Sequence, residues 1–118
     1  MPLLSVIIPV YNEEKTVEKI IRIIDAVGID KEIVVVNDAS TDNTRSVLES
    51  INLPSLRIFS HPRNLGKGAA FRTGLKQAQG EIVIIQDADL EYDPKDYLKL
   101  IPFILDNKAD MALGARFT

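Results

Sequence analysis

Apolar residues cluster along this chain in two alternating ways. Leu4–Ile8, Ile33–Val36, Leu56–Phe59 and Ile82–Ile85 read as four strands, and the last, four β-branched residues in a row, does not alternate with polar residues. Such runs suit strands buried on both faces of a sheet. Between them the apolar positions take helical spacing. Val17, Ile20, Ile21, Ile24 and Val27 predict a first helix, stopped by Gly28. Thr41-Asp42-Asn43-Thr44 opens a short second helix with Val47, Leu48 and Ile51 on its apolar side, and side chains of those types accept from first-turn N–H groups. Ala69, Phe71, Leu75 and Ala78 predict a third helix, ended by Gly80. Asp93-Pro94 reads as an N-cap with proline at the first helical position. That helix carries Tyr97, Leu98, Ile101, Ile104 and Leu105, with a kink at Pro102. Met111-Ala112-Leu113 predicts a fifth strand, closed by Gly114-Ala115-Arg116.

Strict alternation of strand and helix predicts an α/β fold with three α/β/α layers and a mainly parallel sheet. In such sheets ligands bind beyond the carboxyl ends of the strands. The unusual polar groups all follow strands: Tyr11-Asn12-Glu13, Asn37-Asp38, Arg63-Asn64, Asp87 with Asp89, and Arg116. Connections entering the strands, such as Leu53-Pro54-Ser55 and Gln79-Gly80, read as plainer. One edge of the sheet is therefore expected to carry the chemistry.

A chain of 118 residues is one domain, here 1–118. The net charge of −3 gives no electrostatic footprint for nucleic acid. With no cysteine, disulfides and thiolate metal sites are excluded. No apolar run approaches the ~18 residues of a membrane span. Leu3-Leu4-Ser5 enters a strand directly, without the basic start and long apolar core of a signal peptide. A cytoplasmic location is the expectation.

Candidate chemistry centres on Asp87-Ala88-Asp89. Residues i and i+2 of an extended segment point the same way, so two carboxylates project together where the fourth strand leaves the core. Like charges that close favour an intervening cation. Hard oxygen ligands suit Mg²⁺ or Mn²⁺, held jointly with substrate phosphates. No Gly-x-Gly-x-x-Gly follows the first strand, and Gly66-Lys67-Gly68 lacks P-loop spacing. That glycine pair reads as a tight turn for helix packing rather than a phosphate contact. A receiver-like domain would place its acids after the first and third strands, whereas here they follow the second and fourth. His61 reads as a strand-end loop residue.

Five motifs stand in order: Pro9-Val10-Tyr11-Asn12-Glu13, Asn37-Asp38-Ala39-Ser40, Asn64-Leu65-Gly66-Lys67-Gly68, Asp87-Ala88-Asp89 and Gly114-Ala115-Arg116-Phe117. Their order resembles family 2 glycosyltransferases of the GT-A (Rossmann-like) fold. Within them it looks most like the dolichol-phosphate mannosyltransferase and polyprenyl-phosphate glycosyltransferase branch. The resemblance implies a nucleotide-sugar-binding fold and inverting, metal-assisted transfer from GDP-mannose or a UDP-sugar to a polyprenyl or dolichyl phosphate. It implies that Pro9, Tyr11 and Glu13 surround the nucleoside and that Val36 and Asp38 hold base and ribose. It implies metal binding by Asp87 and Asp89, with Ala88 in the donor motif, Asp89 catalytic, Glu91 near sugar and metal, and Arg116 near the diphosphate. Two positions depart from the common Asp-Asp-Gly-Ser pattern: Asn37 loses a charge, and Ala39 lacks glycine's freedom, so that turn is expected to differ. Relatives continue well past Phe117. The chain therefore reads as the truncated N-terminal donor-binding part, peripheral at the cytoplasmic membrane face in the intact enzyme. The rival reading is a nucleotide-sugar-binding module without turnover. A sheet edge bared by truncation leaves room for a homodimer.

Overall fold

The computed structural model describes residues 2–88 and the backbone of residues 111–112 and 115–117. The expected helix after Asp93-Pro94, with its kink at Pro102, lies outside the described residues. The elements in order are β1 (Leu4–Val10), α1 (Val17–Asp25), β2 (Lys31–Asn37), α2 (Thr44–Ser50), β3 (Leu56–Ser60), α3 (Lys67–Gln77), β4 (Ile82–Ile85), β5 (Met111–Ala112) and β6 (Ala115–Phe117). They form one six-stranded sheet in the order β3-β2-β1-β4-β6-β5. The first four strands pair in parallel, as the β-branched runs predict.

Every residue of β1 is buried, because helices cover both faces of the sheet. On one face, alternate β1 residues Leu4, Val6, Ile8 and Val10 pack with Ile33, Val35, Ile82 and Ile84 under α1 and α2. On the other, Ile7, Val34, Val36 and Val83 pack under α3, with Ala70 buried and Phe71, Leu75 and Ala78 partly so. The expected α/β/α layering is thus the observed one. Gly74 lets α3 sit close to the sheet. A Cβ there would lie 2.5 Å from the Ile7 Cγ2. Among the described residues no helix is long and apolar enough to cross a membrane.

Three details differ from expectation. β1, expected over Leu4–Ile8 and stopped by Pro9, runs through that proline to Val10. The Ile7 carbonyl accepts from Gln86 N–H and the Val10 carbonyl from Asp38 N–H. Backbone groups alternate between neighbours, so Pro9 directs its missing donor toward β4, beyond Ile85 where that strand stops. The second difference is at the C-terminal end. Residues 115–117, expected as a closing loop, form β6, antiparallel to β4, with Arg116 opposite Val83. Among the described residues the Met111–Ala112 strand pairs with β6, also antiparallel. A pairing partner is a tertiary choice that a three-residue run does not encode.

The third difference is polar chemistry at the edge expected to be plain. Glu32 is buried at the start of β2. Its Oε2 accepts from the Ser5 hydroxyl at 2.6 Å and Gln79 N–H at 2.6 Å, and its Oε1 from Arg57 at 2.7 Å. Burial pushes the Glu32 carboxyl up, but these hydrogen bonds and the Arg57 charge outweigh it and hold the pKa below its usual range. Arg57 also donates to the Gln77 carbonyl at 2.9 Å. The cluster fastens the α3–β4 connection to β1 and β2, a structural task.

Candidate functional site

The strand order places the site. The chain runs outward from β1 through β2 to β3, then returns to β4 on the opposite side of β1. The connections from β1 and β4 therefore diverge, leaving a crevice at their carboxyl ends, the usual ligand position in open α/β sheets. A cleft of about 300 Å³ opens there. Pro9, Val10, Tyr11 and Glu13 line it from the β1 exit, and Asp38 from the β2 exit. Asn64, Gly66, Lys67 and Ala70 contribute from the β3–α3 connection, and Asp87 and Ala88 from the β4 exit.

Two left-handed residues shape the first two loops. Asn12 has φ 55° and Ala39 φ 60°. Asparagine tolerates this region because its side chain bonds locally. Here the Asn12 Oδ1 accepts from Thr41 N–H at 2.8 Å, and Asn12 N–H donates to the Ser40 hydroxyl at 3.0 Å. The β1–α1 and β2–α2 loops are thus stapled together. Ala39 takes a left-handed turn that glycine would adopt without cost, so this loop holds a strained residue.

At the head of α1, Glu13 N–H donates to the Thr44 hydroxyl at 2.9 Å. The Thr16 hydroxyl donates to the Ala88 carbonyl and also lies 3.3 Å from the Glu13 carboxylate. The α1 entrance is therefore fixed to the segment that carries Asp87. Tyr11 is 44% exposed at the cleft mouth, leaving its ring open to a ligand.

Asp38 is nearly buried, and both carboxylate oxygens are engaged. Oδ1 accepts from Leu65 N–H at 2.8 Å and Oδ2 from Gly66 N–H at 2.8 Å. His61 Nδ1 is 2.8 Å from Oδ1, and its Nε2 is 2.7 Å from the Thr73 hydroxyl. A carboxylate can only accept, so Nδ1 carries a proton; in the neutral ring Nε2 then accepts from Thr73. Burial pushes the Asp38 carboxyl up, but the Leu65, His61 and Gly66 donors outweigh it and hold it below its usual range. His61 is the strand-end loop residue expected, and from there it bridges the end of β2 to Thr73 within α3. Gly66, at φ 97°, turns the loop so that Lys67 starts α3 facing Asp87.

Lys67 donates to Asp87 Oδ1 across the cleft. The Asp87 side chain is 28% exposed and that of Lys67 66%. A partly exposed carboxylate on a cleft wall fits Mg²⁺ or Mn²⁺, which take one or two carboxylates together with waters and substrate phosphates. Among the described residues no three His, Cys, Asp or Glu gather into a fuller metal cage.

The cleft thus unites Pro9, Tyr11, Glu13, Asp38, Asp87 and Ala88 from the sequence reading. It does not include the Val36 side chain, which is fully buried beneath α3. Asp89 and Glu91 lie outside the described residues. Arg116 is described by its backbone alone, within β6 rather than in a strand-end loop. Sequence reasoning missed Lys67 as a cleft residue. The signal was available: it sits in a connection leaving the carboxyl end of a strand, where a helix begins.

The Glycosyl transferase family 2 profile matches residues 5–118. A dolichol-phosphate mannosyltransferase of Pyrococcus furiosus is 35% identical over 116 residues, 96% of this chain and 33% of that protein. A dodecaprenyl-phosphate galacturonate synthase of Rhizobium johnstonii is 31% identical over 121 residues, 96% of this chain and 36% of that protein. The chain therefore spans about a third of the length of these curated relatives. Among solved structures, S. aureus TarS in complex with UDP-GlcNAc superposes with a TM-score of 0.80 at 31% identity, covering 92% of this chain and 32% of that one. The mannosyltransferase PcManGT from Pyrobaculum calidifontis, in complex with GDP-Man and Mn²⁺, gives 0.72 at 36% identity, covering 82% of this chain and 30% of that one.

Proposed function

The chain belongs to glycosyl transferase family 2, and from that premise we propose that its cleft binds the nucleoside diphosphate of a sugar donor. The intact enzyme then passes the sugar, with inversion, to a polyprenyl phosphate. The observation that carries this reading is the convergence of Tyr11, Glu13, Lys67 and Asp87 on one cleft at the β1/β4 switch point. Tyr11 offers an aromatic face to the nucleoside, and Glu13 a carboxylate acceptor. Asp87, with Asp89, is the position for a divalent metal, which supplies Lewis-acid stabilisation of the leaving diphosphate when bound. Asp38 shapes the nucleoside end by holding the Leu65-Gly66 backbone. A polyprenyl phosphate is already anionic, so the acceptor needs no strong base. Neighbouring complexes with GDP-Man and with UDP-GlcNAc support a nucleotide-sugar donor and leave both bases in contention.

Calorimetric titration with GDP-mannose and UDP-GlcNAc, each with and without Mn²⁺, tests the reading. Binding of one donor strengthened by Mn²⁺ is expected, and Asp89→Asn should abolish that benefit. Equal affinity with and without metal in wild type and variant would overturn the metal assignment.

A further inference from the structure

We propose that Lys67 is an exchangeable counter-cation: its ammonium neutralises Asp87 in the empty cleft and moves to the donor diphosphate when metal arrives. This rests on the proposed nucleotide-sugar reading and adds a residue to it. Lys67 donates to Asp87 Oδ1, so ammonium and metal compete for one carboxylate. A metal bound through Oδ1 displaces the ammonium. Displacement is easy, because Lys67 is largely solvated and Asp87 partly so, and exposed ion pairs contribute little. The displaced ammonium stays in the cleft. It is the first residue of α3, and the Gly66 N–H beside it is held by the buried Asp38 carboxylate. The lysine backbone is thus fixed while its flexible stem can swing. A diphosphate bound to a metal on Asp87 brings anionic oxygens within that swing, and an ammonium pairs with phosphate as a mobile point charge. Charge stays compensated at each stage: first by lysine on carboxylate, then by metal on carboxylate and lysine on diphosphate.

The competition predicts opposite effects on two ligands. With Mn²⁺ alone, monitored by the EPR signal of the free ion, Lys67→Met should bind metal about two- to fivefold more tightly, the scale of an exposed pair. With saturating Mn²⁺, the same variant should bind GDP or UDP, whichever the wild type prefers, about fivefold or more weakly, since a charge-assisted contact is lost. Lys67→Arg keeps the charge and should resemble wild type in both titrations, which separates charge from folding. Unchanged or weaker Mn²⁺ binding by Lys67→Met, or undiminished nucleotide binding, would overturn the proposal while leaving the metal site standing. Mn²⁺ binding that survives Asp87→Asn would instead overturn the metal reading itself.

Discussion

The Thr16 hydroxyl donates to the carbonyl of Ala88, joining the head of α1 to the exit of β4 across 72 residues of sequence. The acceptor belongs to the residue immediately after Asp87, so this contact sets where that carboxylate enters the cleft. Thr16→Val preserves shape and removes the donor. Leaving a polar group without its partner should cost about 1–3 kcal/mol of stability, and Mn²⁺-dependent nucleotide binding should weaken with it. Thr16→Ser should restore both. Urea unfolding and nucleotide titration of the two variants check this, and a valine variant indistinguishable from wild type would refute it.

Ala39 sits at φ 60° in the turn after β2. An L-residue in the left-handed region costs roughly 1–2 kcal/mol, while glycine in the unfolded chain carries an entropic penalty of about 0.5–1 kcal/mol. Ala39→Gly should therefore stabilise the protein by about 0.5–1 kcal/mol, raising the thermal midpoint by about 2–5 °C. A lower midpoint would show that the strain is relieved by contacts of the methyl group.

Gly80 and Gly28 should answer the same substitution differently. A Cβ at Gly80 would lie 2.7 Å from the Ser5 backbone nitrogen and 2.8 Å from the Leu4 carbonyl carbon, whereas nothing lies within 4 Å at Gly28. Gly80 N–H also donates to the Ser5 hydroxyl at 2.8 Å, within the Glu32 cluster. Backbone cannot yield as a side-chain tip can, so Gly80→Ala should cost about 1–3 kcal/mol. Gly28→Ala should be neutral or stabilise by up to about 1 kcal/mol. Denaturant midpoints of both variants decide the matter, and equal effects would contradict the packing argument.

The buried strands were legible because a sheet covered on both faces leaves no polar positions in Val34-Val35-Val36 or Ile82–Ile85. Their alternation with amphipathic helices gave the layers, and the carboxyl-edge rule gave the cleft. What escaped was set by partners distant in sequence. Nothing local to Asp38 shows that Leu65 and Gly66, 27 and 28 residues away, will take up its oxygens. Nothing local to Glu32 shows that Arg57, Ser5 and Gln79 will close around it. Lys67 beside two glycines read as packing because its target lies 20 residues on. The antiparallel β6 is the same case: Ala115-Arg116-Phe117 has no strand-like run of its own, and β4 supplies the reason for it.

Acid should loosen the nucleotide end of the cleft through Asp38. Its folded pKa is depressed, so its stabilising contribution is complete above the unfolded value, near 3.9, and is lost as pH falls through the folded value. Glu32 is depressed in the same direction and adds to the loss at the opposite edge. Stability measured by urea unfolding should therefore be flat near neutrality and decline below about pH 5. In Asp38→Asn the amide must turn an N–H group toward the Leu65, Gly66 or His61 donors, leaving at least one unpaired. That variant should be less stable at pH 7 by about 1–3 kcal/mol. Its decline with acid should be shallower, so the two curves draw together toward pH 3. At neutral pH the freed Leu65-Gly66 backbone should also weaken nucleotide binding, because Lys67 loses its fixed origin. Asp38→Asn with undiminished stability at pH 7, or with a decline as steep as that of wild type, would show that this carboxylate is not what holds the loop.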